Sequence, residues 1–231
     1  MKRASANMNA KETVAYTPPL GYAALTPLYD AAIALLTREG VWRSALVAEI
    51  LAGKHDTIID IGSGTGSLAV LLHKASPRSI YVGIDPDYDA VERARAKSAK
   101  AGASATFVDG YFPQDHEGEP VDVVVSSLVL HQVPLSEKQR IIAAAFTRLK
   151  PGGRLILADY GLQDSPLSRL LFRVSVQALD GRENTRPNAD GVLPEIMAEC
   201  GFPLVLERMK LHTSTGAIYI HTAAKPQFMP T

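Results

Sequence analysis

Nine residues, Ile58-Ile59-Asp60-Ile61-Gly62-Ser63-Gly64-Thr65-Gly66, concentrate the chemistry of this chain. An apolar run meets an acid, three glycines follow at alternate positions, and Ser67-Leu68-Ala69-Val70-Leu71-Leu72 then carries a helical pattern. A strand, a tight glycine turn and a helix start in that order form a nucleotide-type ligand site at the carboxyl end of a parallel strand. Glycine suits the turn because the backbone there needs positive φ and lies against the ligand. Gly64-Thr65-Gly66-Ser67-Leu68-Ala69 also fits the dinucleotide pattern, so the glycines alone leave two cofactor classes open. Asp60 narrows the choice, since a carboxylate two residues before the first glycine repels a pyrophosphate and attracts a cationic amino group.

Other residues extend the site. Ile80-Tyr81-Val82-Gly83-Ile84-Asp85 is a second strand ending in an acid, about 20 residues after the glycines, where a carboxylate accepts from ribose hydroxyls. Asp85 could merely cap the helix that begins near Asp87, but its spacing from the glycines favours the ribose role. Asp109-Gly110 follows the third strand, as an adenine contact or simply as a turn. Ile84 and Phe112 would flank the adenine or join the core. His131 follows the fourth strand at the edge of the expected cleft, where an imidazole could act as general base, orient an acceptor, or merely line the wall. Tyr160, just past the fifth strand, is a further pocket candidate.

The elements that must position these groups alternate. Apolar residues recur at helical spacing over Tyr22–Thr37, and Val41–Leu51 makes a second helix. Strands are expected at Thr57–Ile61, Ser79–Ile84, Ala105–Val108, Val121–Ser126 and Arg154–Asp159, with helices at Thr65–Lys74, Asp87–Lys100 and Ser136–Leu149. Short, nearly continuously apolar strands alternating with helices imply a parallel sheet covered on both faces. Residues 160–192 break the rhythm: Pro166–Leu179 reads as an extra helix and Asp180–Gly191 as a polar loop, before a short helix over Leu193–Cys200. Strands near Leu204–Met209 and Ala217–Thr222 close a single domain over residues 18–225, flanked by a polar, loosely ordered segment 1–17 and a tail 226–231.

Asp60 to Gly66, Asp85, Asp109-Gly110, Leu128-Val129-Leu130-His131 and Lys150-Pro151-Gly152-Gly153 together resemble the class I S-adenosylmethionine-dependent methyltransferases. The likeness is greatest to the group containing the ubiquinone/menaquinone-biosynthesis C-methyltransferases, and covers residues 20–225. It implies a Rossmann-like, doubly wound, mostly parallel seven-stranded α/β sheet with an antiparallel C-terminal strand. It also implies S-adenosyl-L-methionine as cofactor, held by Asp60, Gly62, Ser63, Gly64, Gly66, Asp85, Pro86, Asp109, Gly110, Ser126 and Tyr22. Tyr22 and Tyr29 share a face of the first helix, which in the family covers the cofactor and shapes the acceptor pocket. His131, Tyr29 and Tyr160 are the candidates for catalysis. The acceptor, a small apolar or amphipathic molecule, is expected between that helix and the 160–192 insertion. A quinone-precursor carbon and a lipid amine both suit. Rival readings are a cofactor-binding regulatory or assembly protein without catalysis and, further off, an NAD(P)-dependent oxidoreductase.

Composition bounds the partners. Lysine plus arginine and aspartate plus glutamate number 24 each, so no overall field gathers nucleic acid. Arg169 and Arg173 on the extra helix suit an anionic acceptor or lipid headgroups, but two arginines form an ordinary solvated face as readily. One cysteine, Cys200, excludes an intramolecular disulfide and fits a cytoplasmic location. Metal dependence is not expected: Ser126-Ser127 ends the fourth strand, and Asp159 alone makes no cation cage. Small relatives often pair, which leaves a homodimer open.

Overall fold

The computed structural model describes residues 36–53 and 56–227. The expected segment 1–17, the helix over Tyr22–Thr37 as far as residue 35, and the candidates Tyr22 and Tyr29 lie outside the described residues. In chain order the elements are α1 (Glu39–Leu51), β1 (Thr57–Ile61), α2 (Ser67–Ala75), β2 (Ile80–Asp85), α3 (Tyr88–Ala101), β3 (Ala105–Asp109) and β4 (Val121–Ser127). A 3₁₀ turn (Leu130–Gln132) leads to α4 (Leu135–Arg148) and β5 (Leu149–Tyr160). Then come α5 (Pro166–Val174), α6 (Val176–Asp180), α7 (Arg182–Ala189), α8 (Leu193–Glu199), β6 (Val205–Thr213) and β7 (Gly216–Ala224).

The seven strands form one sheet in the order β3-β2-β1-β4-β5-β7-β6. The first five are parallel, and β7 runs antiparallel between β5 and β6. This is the doubly wound sheet with an antiparallel ending that the motifs imply. The order reverses between β1 and β4, and the carboxyl ends of strands at such a reversal open the crevice in which ligands bind.

Alternation along the strands divides the core. Ile58, Val123, Val125 and Ile156 face one layer with Trp42 and Leu46 of α1, Leu68 and Leu72 of α2, and Val91 of α3. Ile59, Val124, Leu155 and Leu157 face the other, against Ile141 and Ile142 of α4 and Ile196 and Met197 of α8. Each such side chain, taken wholly from water, contributes about 1.5–3 kcal/mol.

β5 begins at Leu149, five residues before the expected Arg154, and two segments of the insertion differ from expectation for identifiable reasons. The single helix expected over Pro166–Leu179 divides at Ser175, which leaves helical geometry at φ −110°, ψ −81°. Its hydroxyl donates to Leu171 O at 2.6 Å and to Thr215 O at 3.4 Å, tying the break to the β6–β7 turn. The expected polar loop Asp180–Gly191 contains helix α7. Three of its polar residues pair with carbonyls: buried Thr185 donates to Gly181 O at 2.6 Å, buried Asn188 to Tyr160 O at 3.0 Å, and Asn184 to Gln132 O at 2.9 Å.

Candidate active site at the carboxyl end of the sheet

The glycine turn leaves β1 and is sewn to β2. Gly62 and Ser63 donate backbone N–H groups to Ile84 O at 2.8 and 3.2 Å. Gly62 and Gly64 both have positive φ, +71° and +51°, yet for different reasons. A Cβ on Gly62 would meet Val129 Cγ2 at 2.2 Å, so that glycine admits the turn after β4. A Cβ on Gly64 would meet nothing within 4 Å, so its bare face looks onto open space.

Two buried polar atoms beside this turn have no hydrogen-bond partner: Asp60 Oδ1 and Ser63 Oγ. The other Asp60 oxygen accepts from the Tyr81 hydroxyl. Burial pushes the Asp60 carboxyl up to about 7, against the Tyr81 hydrogen bond and the Arg43 charge. Asp85 accepts from Gly64 N at 2.7 Å through Oδ2 and from Asp87 N at 2.9 Å through Oδ1. Asp87 itself caps α3, accepting from Asp89 N and Ala90 N. The capping duty therefore falls to Asp87, and Asp85 stands at the strand end, its carboxyl raised by burial. Asp109 is exposed and directly opposite Asp85 in the β2–β3 register. Gly110 donates to Asp85 O at 3.0 Å, and Pro86 is half-buried beside it. Ser126 is buried and spends its hydroxyl on Ile61 O at 2.9 Å. Ile84 and Phe112 both lie in the core.

Across the crevice, β4 ends in a constrained turn. Leu128 has φ +56°, a left-handed conformation costing a non-glycine residue about 1–2 kcal/mol. Asp159 holds that turn: its Oδ2 accepts from the backbone N–H of Val129, Leu130 and His131 at 3.1, 2.7 and 3.3 Å. Its Oδ1 lies 2.7 Å from His131 Nδ1. His131 Nε2 lies 3.4 Å from Asp180 Oδ2 at the end of α6. Burial would lower the imidazole pKa, but the Asp159 and Asp180 carboxylates outweigh it and push it up to about 9. Tyr160 meets His131 edge-on at 5.0 Å between ring centroids, and its hydroxyl lies 2.7 Å from Thr215 Oγ1.

Lys138, wholly buried, donates to the carbonyls of Leu130, Val133 (2.6 Å) and Asn184 (2.9 Å), joining α4, the 3₁₀ turn and α7. Burial brings its ammonium down to about 8, opposed by the Asp159 charge. Arg169 donates to Gln163 O at 2.7 Å and Asp164 O at 3.2 Å, so it serves the loop entering α5. The expected residues thus gather on two sides of one crevice, Asp60 to Gly66 with Asp85 and Asp109 on one, His131 and Tyr160 on the other. Asp180, Lys138 and Asn184 are additions the sequence did not announce. Only Asp159 carried a signal, as the acid closing the apolar β5 run.

Residues 59–155 match the family model described as a methyltransferase domain. The sheet order and the shape of the whole fold are similar to those of solved S-adenosylmethionine-dependent methyltransferases. Among particular relatives, it is 28% identical over 157 residues to the ubiquinone/menaquinone biosynthesis C-methyltransferase of Syntrophotalea carbinolica, covering 64% of this chain and 63% of that one. It is also 28% identical over 160 residues to the demethylmenaquinone methyltransferase of Deinococcus radiodurans, covering 68% and 65% respectively. The match therefore spans just under two thirds of either relative. Among solved structures, the S-adenosylmethionine-dependent methyltransferase SibL in its apo form superposes with a TM-score of 0.70 at 20% identity, covering 91% of this chain and 60% of that one. Magnesium protoporphyrin IX methyltransferase from Synechocystis, solved with bound S-adenosylhomocysteine, does so at 0.63 and 22%, covering 79% and 81%. Two neighbours of this fold, the Synechocystis enzyme and the N-methyltransferase NodS, were solved with S-adenosylhomocysteine bound, and the residues present here fit a cofactor of that kind. The open face of Gly64 admits its backbone approach, the unpartnered Asp60 oxygen suits its ammonium, and the strand-end Asp85 suits its ribose.

Proposed function

We propose that this chain transfers a methyl group from S-adenosylmethionine to a small apolar or amphipathic acceptor. The single observation carrying this reading is the glycine turn whose middle residue faces open space between an unpartnered buried carboxylate oxygen and a strand-end carboxylate. Asp60, Gly62, Ser63, Gly64, Gly66, Asp85, Pro86, Asp109 and Gly110 would hold the cofactor. Ser126 acts from beneath, by fixing the end of β1 through Ile61 O.

When bound, the cofactor supplies an already activated methyl on a sulfonium, so the protein needs no covalent nucleophile. What remains for the chain is to orient the acceptor and exclude water. Orientation of this kind is worth about 7–11 kcal/mol of barrier. His131 has both ring nitrogens beside carboxylates and stays protonated near neutrality, so it serves as a fixed N–H donor rather than a free base. That favours acceptors that reach the site already without their proton: an unprotonated amine, a thiolate, or a phenol or quinol acidic enough to be present as its anion. Tyr160 and the α5–α7 insertion would form the acceptor wall.

The reading is tested by incubating the protein with methyl-labelled S-adenosylmethionine and quinols, phenols, thiols and amine lipids, with product mass measured. Label in one acceptor class supports it. Tight binding of NAD(H) or NADP(H), with none of S-adenosylmethionine or its demethylated product, would overturn it. The same acceptor panel tests location, because no helix among the described residues is long and apolar enough to cross a membrane. Preference for vesicle-bound over free amines would indicate surface work.

A further inference from the structure

Asp60 is a buried acid whose two oxygens have unequal surroundings. Tyr81 pairs with Ile58, two residues before the Asp60–Gly83 position of the β1–β2 ladder, and so reaches along the same face of the sheet to give its hydroxyl proton to Oδ2. Among the described residues Oδ1 has no donor, in a side chain only 1% exposed. An anionic oxygen left in that state costs several kcal/mol if nothing comes to meet it.

We infer that Tyr81 is a positioning residue that occupies one oxygen of Asp60 and reserves the other for the cationic amino group of the cofactor, so that cofactor binding expels a proton from Asp60. This deepens the proposed function and rests on its cofactor reading. The carboxyl resting near 7 without ligand supports it, because the uncharged acid is the form that tolerates an unpartnered oxygen. An arriving ammonium reverses the preference: the O–H bond of Asp60 breaks, the proton leaves to solvent, and the carboxylate stays paired with both donors.

The surrounding charges are few. On β2, Tyr81 and Asp85 face Asp60. From α1 comes Arg43, itself paired with Glu39. The neighbouring position on β4 is Val125, and the buried residues of α2 on this side are Leu68, Ala69 and Leu72, none of which titrates. Asp60 and Asp85 are the two carboxyls here whose ionisation could couple to binding.

The experiment is calorimetric titration of the whole protein with S-adenosylhomocysteine between about pH 5.5 and 8.5, in buffers of different ionisation enthalpy, which counts protons released. Affinity should rise about tenfold per pH unit below about 7 and level off above it, with close to one proton released at the acid end and none at the alkaline end. Tyr81→Phe should move the levelling point to higher pH and approach wild-type affinity at the alkaline end. Asp60→Asn should bind weakly and lose most of the pH dependence, which assigns it to Asp60 rather than Asp85. Wild-type affinity that ignores pH overturns this inference alone, as does a Tyr81→Phe loss equal at every pH. Absence of binding at every pH, in protein that melts cooperatively, overturns the cofactor reading and this inference with it.

Discussion

Replacing Gly64 with alanine separates ligand contact from folding, because the position is strained but uncrowded. At φ +51° an alanine costs about 1–2 kcal/mol of left-handed strain, and its methyl meets nothing within 4 Å. For a domain of this size that amounts to a fall in Tm of roughly 2–8 °C. In the proposed reading the same methyl stands where the cofactor would lie. Overpacking by one methyl costs about 1–3 kcal/mol, or roughly 5- to 150-fold in affinity for S-adenosylhomocysteine. Gly62→Ala should behave in the opposite way. Its Cβ would come within 2.2 Å of Val129 Cγ2, so the overpacking adds to the strain and falls on the fold itself, about 2–5 kcal/mol in all. Adding Val129→Ala should recover much of that loss, since the clashing methyl is gone. Thermal melts and calorimetry on the three variants give the comparison. Gly64→Ala with unchanged affinity, or with a melt as damaged as that of Gly62→Ala, would refute the assignment of Gly64 to the ligand face.

His131 should titrate near 9 by imidazole NMR, and Asp180→Asn should lower that value; a wild-type midpoint near 6.5 would deny the two-carboxylate clamp. Because the folded pKa is raised, this contribution to stability is complete below about 6.5 and is lost as pH rises through about 9. The Tm gap between wild type and His131→Gln should accordingly close across that interval, and a gap that widens would reverse the sign. Lys138→Met strands the carbonyls of Leu130, Val133 and Asn184 and should cost about 2–5 kcal/mol by chemical denaturation, with earlier proteolysis around α7. Asp85→Ala should weaken S-adenosylhomocysteine binding by roughly 1.5–3 kcal/mol; unchanged affinity in calorimetry would remove its ribose role.

The parallel half of the sheet was legible because its signals are local: apolar strands, a glycine turn and a ribose-type acid fall within some thirty residues, Thr57 to Asp85. The antiparallel ending came from resemblance and agrees with the β5–β7–β6 pairing. The helix α7 was not legible, since a stretch as polar as Arg182–Ala189 reads as loop until its partners are known. Those partners, Lys138 and the carbonyls of Gln132 and Tyr160, lie tens of residues away in sequence. His131 stood out as titratable, yet the two carboxylates that set its charge come from β5 and α6, which no local pattern joins to it.

The place of β7 has a bearing on how the molecule is made. Strands β1 to β4, with the glycine turn, Asp60 and Asp85, are complete by residue 127. The far wall waits. Asp159 and Tyr160 close β5, but Tyr160 leans on Thr215, and β7 pairs with β5 from Arg154 to Tyr160 only once residues through Ala224 have left the ribosome. During synthesis the strands that carry the proposed cofactor residues are therefore available well before those that would wall the acceptor. Cofactor present at that stage would act as a template, steadying the half already made while the acceptor side assembles around it.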